Sequence, residues 1–297
     1  RNVMHEEGEN AVDLKQCADV IVSGNEMFGF DPTMFAYGGS DGTAMVVNND
    51  YPHENIWVID NDIYKSIKAV RALDSTYVIG NRIRDIYVDS EGLGGYGVGT
   101  YCTSLYVIGN TMYNVGAGVI HTGSGSGEDL AICNNIISLS RDGLYHVHLS
   151  SGMSAVATVT HNVFDSGTGL ALINWNGQQS QWDLATFQAT TGKGEYCLEG
   201  DPLFVDSSAD DFRLQATSPA IDAGTGSGVV AGVFARFEEL YGIDIRQDIA
   251  GRARPQGSGW DIGAFEYVLE SIEDLAGSGG SQNSVTVGWT IPGADGS

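Results

Sequence analysis

The segments Trp57-Val-Ile-Asp-Asn61 and Tyr77-Val-Ile-Gly-Asn81 repeat one short pattern, an alternating apolar run that is closed by Asn. The same pattern occurs four more times, closed by Asn25, Asn110, Asn135 and Asn162. Successive Asn residues are 36, 20, 29, 25 and 27 positions apart. A period in the twenties is typical of a solenoid, because a single repeat cannot bury its apolar face and has to stack on its neighbours. The repeats therefore predict a solenoid over residues 17–175.

A second set of short apolar segments begins about eight residues after the Asn-closed runs. These segments cover residues 43–48, 68–72, 85–89, 118–121, 143–148 and 169–174. Both sets are rich in β-branched and aromatic residues and are separated by Gly, Asn, Asp and Ser, which predicts strands and turns. Antiparallel hairpins would need two-residue turns, so strands with this period are expected to be parallel. The predicted fold is all-β, a parallel β-helix.

The repeated Asn is predicted to form one corner of the solenoid. Asn tolerates a left-handed backbone at a bend, and its amide can bond to the Asn of the next coil. Two insertions interrupt the period, at residues 30–40 and 91–103. The second contains Gly92-Leu-Gly94-Gly-Tyr-Gly97, a match to the dinucleotide-binding pattern, but no helix and no βαβ unit surround it. Both insertions are therefore predicted to be loops.

Composition excludes several classes of function. The 297 residues include 38 acidic and 14 basic side chains, a net charge of −24 that repels nucleic acid. No apolar run approaches the ~18 residues of a membrane span. An acidic surface suits a calcium-containing exterior, because carboxylates bind hard cations. The four cysteines form no C-x-x-C pair and are expected to be buried free thiols in a monomeric protein.

The pattern changes after residue 175. Residues 180–192 resemble a short capped helix that ends at Gly192, with Trp182, Leu184 or Ala185 and Phe187 as its buried contacts. A second helix is predicted to end at Gly242. Its apolar face would contain Val229, Val230, Val233, Phe234, Phe237, Leu240 and Tyr241.

Four motifs near the C-terminal end carry a resemblance to a known group of proteins. The motifs are Asp201-Pro-Leu-Phe-Val-Asp206, Phe212-Arg-Leu214, Ser218-Pro-Ala-Ile-Asp-Ala-Gly224 and Asp261-Ile-Gly-Ala-Phe-Glu-Tyr267. They resemble the C-terminal end of secreted bacterial right-handed parallel β-helix proteins, often called choice-of-anchor Q proteins, and the upstream repeats resemble coils of the pectate-lyase-like superfamily. The resemblance covers about residues 9–268.

The resemblance implies a right-handed parallel β-helix with short helices near the C-terminal end. It also implies a secreted or cell-surface bacterial protein whose partner is an extracellular polysaccharide. We expect residues 1–268 to form the β-helix and its C-terminal cap, residues 269–283 a linker, and residues 284–297 the start of a fibronectin type III-like module. Activity stays open, because the superfamily contains polysaccharide lyases, glycoside hydrolases and adhesins.

Candidate site residues come from the second strand set, whose outward positions form a ladder across one face of a solenoid. A lyase acting on a uronate polymer has to neutralise the carboxylate, remove the C5 proton and protonate the leaving oxygen. The predicted catalytic residues are Lys68, Arg71, His121 and His146. The predicted substrate-binding residues are Tyr87, His148, Asn174 and Trp175, and Asp89 and Glu91 are predicted to bind Ca²⁺.

Three alternatives remain at this point. His146 and His148 would point the same way from one strand, with His121 one coil earlier, as a metal site or proton transfer would require. A glycoside hydrolase would use two carboxylates in one groove, for which Asp89, Glu91 and Asp142 are available, with tyrosines such as Tyr96, Tyr101 and Tyr145 as sugar platforms. A non-catalytic adhesion protein would use the coils as a rigid spacer.

Overall fold

The computed structural model describes residues 1–6, 9–31, 42–48, 52–87, 95–100, 104–122, 129–139, 143–167, 171–177 and 181–269, together with the strands Ala276–Ser278 and Thr286–Gly288. The fold is a right-handed parallel β-helix with short helices near its C-terminal end, which confirms the predicted fold class. Each coil contributes one strand to each of three parallel sheets. Right-handed crossovers follow from the right-handed twist of the strands.

The three sheets contain strands from successive coils in order. The eight-stranded sheet contains β1 (Val3–His5), β4 (Glu26–Phe28), β7 (Asp62–Ser66), β10 (Arg82–Ile86), β13 (Thr111–Val115), β16 (Ile136–Leu139), β19 (Val163–Asp165) and β21 (Leu198–Glu199). The seven-stranded sheet contains β2 (Val12–Leu14), β5 (Thr43–Val47), β8 (Lys68–Ala72), β11 (Tyr96–Thr100), β14 (Ala117–His121), β17 (Tyr145–Leu149) and β20 (Ile173–Trp175). The six-stranded sheet contains β3 (Ala18–Ser23), β6 (Glu54–Ile59), β9 (Thr76–Ile79), β12 (Ser104–Ile108), β15 (Asp129–Cys133) and β18 (Ala157–Thr160).

Helices and short antiparallel strands complete the described residues. The helices are α1 (Ser151–Ser154), α2 (Leu184–Thr191) and α3 (Gly228–Tyr241), and residues 207–209 form a 3₁₀ turn. The two antiparallel pairs are β22 (Phe204–Asp206) with β23 (Asp211–Leu214), and β24 (Ala276–Ser278) with β25 (Thr286–Gly288). None of the helices in the described part of the chain has the length and apolar character needed to span a bilayer.

Each coil has three strands, whereas the sequence predicted two. The third strand, in the eight-stranded sheet, follows directly after the repeated Asn, and β10 is one of these. The predicted second-set strand at residues 85–89 is therefore wrong, because the seven-stranded sheet uses β11 instead, inside the segment predicted to be a loop. The glycines of β11 concealed its strand character. A Cβ on Gly97 would lie 2.7 Å from Met112 Sδ and 3.2 Å from the Gly118 carbonyl oxygen, so the close packing at this position favours glycine.

The repeated Asn residues form a buried ladder at the corner between the six- and eight-stranded sheets. Each side-chain amide donates to the Oδ1 of the Asn one coil further on, at 3.1 Å from Asn25 to Asn61 and 2.9 Å from Asn81 to Asn110. The ladder begins at Asn2, whose amide donates to Asn25. It continues through Asn135 and Asn162 and ends at Cys197 Sγ. The predicted contact between the Asn residues of neighbouring coils is observed.

The left-handed backbone of this corner lies one residue earlier than predicted. The residues before the repeated Asn have φ between 52° and 67°. They are Gly24, Asp60, Gly80, Gly109, Asn134 and His161. Gly, Asn and Asp tolerate this conformation best, which explains their use here. The repeated Asn itself is thereby free to direct its amide along the stack.

The C-terminal region covers two outer faces of the β-helix. Helix α3 packs Phe234 and Phe237 on the six-stranded sheet, where Phe237 lies edge-on to Trp57 with ring centroids 4.8 Å apart. The predicted helices exist, and both end at the predicted glycines in left-handed conformation. Leu240 is an exception to the predicted apolar face, since it is exposed. The segment after residue 198 packs Phe204 and Phe212 against the eight-stranded sheet.

A buried ionic network stabilises this cap. Arg254 donates to Glu266 at 2.7 Å, and both side chains are almost completely buried. Asp248 accepts hydrogen bonds from the backbone of Ala250, Arg252 and Glu266. Buried charges are tolerated when they are paired and hydrogen-bonded in this way. The Asp-Ile-Gly-Ala-Phe-Glu motif is thus explained by the structure of the cap.

Replacement of Asn81 with Ala is expected to destabilise the protein by about 3 kcal/mol or more. The change leaves the buried Asn61 backbone N–H without its acceptor and removes the Asn81 amide that donates to Val58 O and Asn110 Oδ1, and each unsatisfied buried polar group costs about 1–3 kcal/mol. Asn2→Ala is the matched control, because Asn2 lies at the exposed end of the ladder and should cost about 1 kcal/mol or less. Denaturant unfolding measures both, and equal losses would contradict a buried ladder.

Asp60 should make the protein less stable at alkaline pH. Burial raises the pKa of Asp60 to about 7, against the opposing effect of Arg254 and with a further contribution from Asp248. The folded state therefore holds a proton that the unfolded state releases near pH 4, so this contribution to stability is lost as the pH rises from about 4 to 7.

The substitution Asp60→Asn tests this directly, because Asn134 occupies the equivalent corner position in a later coil with the same backbone conformation. We expect the variant to be more stable than the parent protein at pH 8 by roughly 4 kcal/mol, and equally stable at pH 4. Unfolding curves at the two pH values measure the difference. If the parent protein were more stable than Asp60→Asn at pH 8, ionisation of Asp60 would carry no free-energy cost in the folded state.

Candidate functional site

The outer face of the seven-stranded sheet holds the predicted site, and its geometry follows from which positions point inward. Val70, Val98, Val119 and Val147 share one register and lie in the main hydrophobic core. Because side chains alternate along a strand, the next positions point outward. This outward column contains Asp13, Val46, Arg71, Gly99, Ile120, His148 and Asn174.

A second outward column lies at the beginning of the same strands. It contains Thr43, Lys68, Tyr96, Ala117 and Tyr145, aligned by the same strand registers. Lys68 Nζ lies 5.7 Å from the centre of the Tyr96 ring, a cation–π contact. The ring lies over Gly99, where any Cβ would clash with it. Lys68 and Arg71 therefore emerge from one strand, in two neighbouring outward columns, as the sequence predicted.

Tyr145 and His148 form the second half of the face. Their rings are 4.9 Å apart in an edge-to-face arrangement, and both side chains are half-buried. Burial lowers the pKa of His148 below its ordinary value of 6.5, and the neighbouring His121 lowers it further. The imidazole is therefore neutral at pH 7 and can accept a proton.

The prediction that His121 points outward is wrong. His121 shares its register with Leu149 and, through β11 and β8, with Thr100 and Ala72, which form an inward column. It is 1% exposed, and its Nδ1 lies 2.8 Å from Ser150 Oγ. Alternation along β14 from the inward Val119 directs Ile120 outward and His121 inward again. A buried imidazole cannot contact a polymer on the outer face.

The prediction that His146 points outward is also wrong, for a different reason. Ala69 and Val70 both lie in the core, as do His146 and Val147, because the strands bend at this point and the alternation is interrupted. His146 is fully buried, its ring centroid lies 5.2 Å from that of Phe164, and its Nδ1 accepts the Leu172 N–H at 2.8 Å. His146 and His148 therefore point to opposite sides of the sheet, and the paired imidazole site does not form.

Trp175 and Asn174 are less accessible than predicted. Trp175 lies in the inward column, where its ring packs against Phe187 of α2 with centroids 4.8 Å apart. It is therefore a core residue and no sugar platform. Asn174 does occupy the outward column, one rung beyond His148, but it is 4% exposed. A substrate contact would involve the edge of its amide.

Tyr87 and the predicted calcium ligands lie away from this face or outside the described residues. Tyr87 follows β10 of the eight-stranded sheet and is 47% exposed. Asp89, Glu91, Asp142 and Tyr101 lie outside the described residues, so the calcium and paired-carboxylate hypotheses stay predictions. Within the described ranges, no cluster of three or more His, Cys, Asp or Glu side chains could hold a metal ion.

The contact between Tyr145 and His148 was not predicted from the sequence. The two residues were predicted separately, as a sugar platform and a substrate contact, because at a spacing of three their proximity depends on the interrupted alternation at His146.

No known protein family, curated protein or solved structure matches the chain. The resemblance to choice-of-anchor Q proteins therefore stays a prediction, while the parallel β-helix is observed.

His146 is expected to make stability depend on acid pH. Burial lowers the pKa of His146 to about 4. As the pH falls below about 6.5, the imidazole is protonated in the unfolded state but stays neutral in the folded state. This contribution to stability is complete above about pH 6.5 and is lost as the pH falls towards 4, a change of about 3 kcal/mol. His146→Gln should lose this part of the slope in unfolding experiments between pH 4.5 and 7. Identical slopes in the two proteins would contradict a neutral buried imidazole.

Proposed function

We propose that the outer face of the seven-stranded sheet binds an acidic, uronate-containing extracellular polysaccharide and cleaves it by β-elimination. One observation carries the proposal: the cationic pair Lys68 and Arg71 shares its two outward columns with the contacting pair Tyr145 and His148. Cations that bind carboxylates and a neutral base beside a hydroxyl are the groups that the reaction needs.

Local charge supports an anionic ligand on this face. The chain as a whole has a net charge of −24 and repels polyanions. Along the two outward columns, however, the charged side chains are Lys68, Arg71 and Asp13, and Asp13 is paired with Lys15 at 3.1 Å. Among the residues that the structure describes, Lys68 and Arg71 are the cations that a uronate polymer would meet in these two columns.

The proposed chemistry uses the four side chains in two pairs. His148 accepts the C5 proton of a uronate residue, the bond between C4 and its glycosidic oxygen breaks, and the Tyr145 hydroxyl protonates the leaving oxygen. A double bond between C4 and C5 remains in the product. The neutral form of His148 at pH 7 suits it to act as the base. Asn174, one rung beyond, can hydrogen-bond the carboxylate of the reacting sugar.

Strand spacing separates binding from proton transfer. Lys68 and Tyr145 are three rungs apart, as are Arg71 and His148, which corresponds to about 14 Å at ~4.8 Å per rung. Lys68 and Arg71 therefore neutralise carboxylates of sugars on one side of the reacting bond. Calcium held by Asp89 and Glu91, and a secreted or cell-surface location, belong to the same proposal.

An absorbance assay tests the proposal. The protein is incubated with polygalacturonate, alginate and chondroitin, with and without Ca²⁺, and the ultraviolet absorbance of the unsaturated product is followed. His148→Gln should lower kcat by about 10²-fold or more, because it removes the base. Arg71→Ala should mainly raise KM. His161→Gln is the matched control, because His161 lies at the Asn corner, away from this face.

Two outcomes would contradict cleavage. Absence of product from all three polymers would refute the lyase activity, and equal activity of the His148→Gln variant would refute the role of His148. Binding without product, measured by affinity electrophoresis in the same polymers, would favour a non-catalytic adhesion protein. If Arg71→Ala abolished this polysaccharide binding, the outer face of the seven-stranded sheet would still be the binding surface.

A further inference from the structure

A groove of about 480 Å³ lies against the outer face of the eight-stranded sheet. It is separate from the proposed polysaccharide site on the seven-stranded sheet. It is formed where the C-terminal segment crosses the sheet. The residues that line it are Tyr113, Asp165, Gly167, Asp201, Leu203, Phe204, Ser207 and Gln215. Grooves of this size that combine apolar side chains with a few polar groups are typical of small-ligand sites.

One wall of the groove is an outward column of the β-helix. Tyr113, Ser138 and Asp165 share one register on β13, β16 and β19, so Tyr113 and Asp165 are two rungs or roughly 10 Å apart. The small Ser138 side chain lies between them and donates to Asp165 Oδ2 at 2.7 Å. A tyrosine and a carboxylate that both line the groove thus stand two rungs apart on this wall.

The opposite wall is held in place by its own contacts. Phe204 and Phe212 pack against the Tyr113 ring, with centroids 6.0 Å and 5.1 Å away. The Gln215 amide donates to the Phe204 carbonyl at 2.7 Å, and Asp201 accepts the Leu203 N–H at 2.8 Å. The polar groups of the groove are therefore positioned before any ligand binds, which reduces the entropic cost of binding.

The chemistry of the lining selects the class of ligand. It provides two carboxylates, a primary amide, a serine hydroxyl and two aromatic rings, and none of the eight lining residues is cationic. Carboxylates accept hydrogen bonds from hydroxyl groups and repel other carboxylates, and an aromatic ring packs against the apolar face of a sugar. We infer that this groove binds an uncharged pyranose unit of a glycan, in contrast to the anionic ligand proposed for the seven-stranded sheet.

A metal ion fits the groove less well. Ca²⁺ takes six to eight oxygen ligands, usually with several carboxylates. The lining has only Asp165 and Asp201, and one oxygen of Asp165 already accepts from Ser138 while the other accepts from the Gly167 N–H at 2.8 Å. These bonds orient the carboxylate for further hydrogen bonding to a hydroxyl.

Titration with neutral oligosaccharides tests the inference. Cellohexaose, xylohexaose and mannohexaose are titrated against the whole protein by isothermal calorimetry and by saturation-transfer NMR, and CaCl₂ is titrated separately. At least one hexaose should bind, and Asp201→Asn should weaken that binding by about tenfold, since one charge-assisted hydrogen bond is worth about 1.4 kcal/mol. Asp201 is exposed, so the variant is expected to fold.

Controls distinguish this site from the proposed lyase face. Asp244→Asn, an exposed carboxylate paired with Arg246 beyond α3, should leave hexaose binding unchanged. Arg71→Ala should also leave it unchanged, so failure of the lyase proposal and failure of this inference are separable. Binding of none of the hexaoses, or binding that Asp201→Asn does not weaken, would overturn the inference. Binding of Ca²⁺ that is lost in Asp201→Asn, together with no binding of any hexaose, would also overturn the inference.

Discussion

The hydrogen bond from one Asn amide to the next is the interaction on which the rest of the β-helix depends. It fixes the position of one corner in every coil, although the coils vary in length from 20 to 36 residues. Because this corner is constant, the variation in length falls on the other connections of each coil. The three sheets can therefore stay in register while the connections beside the seven-stranded sheet differ from coil to coil.

The same constraint explains why the fold was predictable from the sequence. Repeated Asn, preceded by an alternating apolar run, appears in the sequence at the period of the coil. The two C-terminal helices were equally visible, because their apolar spacing and terminal glycines are local signals. Strand β11 was not visible, because its glycines lack strand propensity, and Gly97 is favoured by close packing against Met112 of another sheet. A contact between sheets leaves no periodic trace in a single strand.

The site was predicted less well than the fold, for two physical reasons. The register of the strands aligns His121 with the inward Leu149 and not with His148, whereas strict alternation would assign His146 to the outer face with His148. The bend in each strand of the seven-stranded sheet places two consecutive residues inward, so His146 enters a column that elsewhere contains Ala69, Gly97 and Gly118. Lys68, Arg71 and His148 keep their predicted orientation because they lie on the two sides of that bend. The sequence identifies candidate residues, whereas the bend decides which of them can meet a ligand.

All amides of the Asn ladder point the same way along the axis, each with its N–H₂ group towards the C-terminal coil. Their dipoles are therefore aligned head to tail, and each polarises the next. At Asn162 the column meets the sulfur of Cys197, a weaker acceptor than an amide oxygen. The β-helix therefore has a direction along its axis. Whole coils can be inserted between existing ones if each supplies an Asn in the same orientation. The column of side-chain hydrogen bonds ends at the Cys197 sulfur.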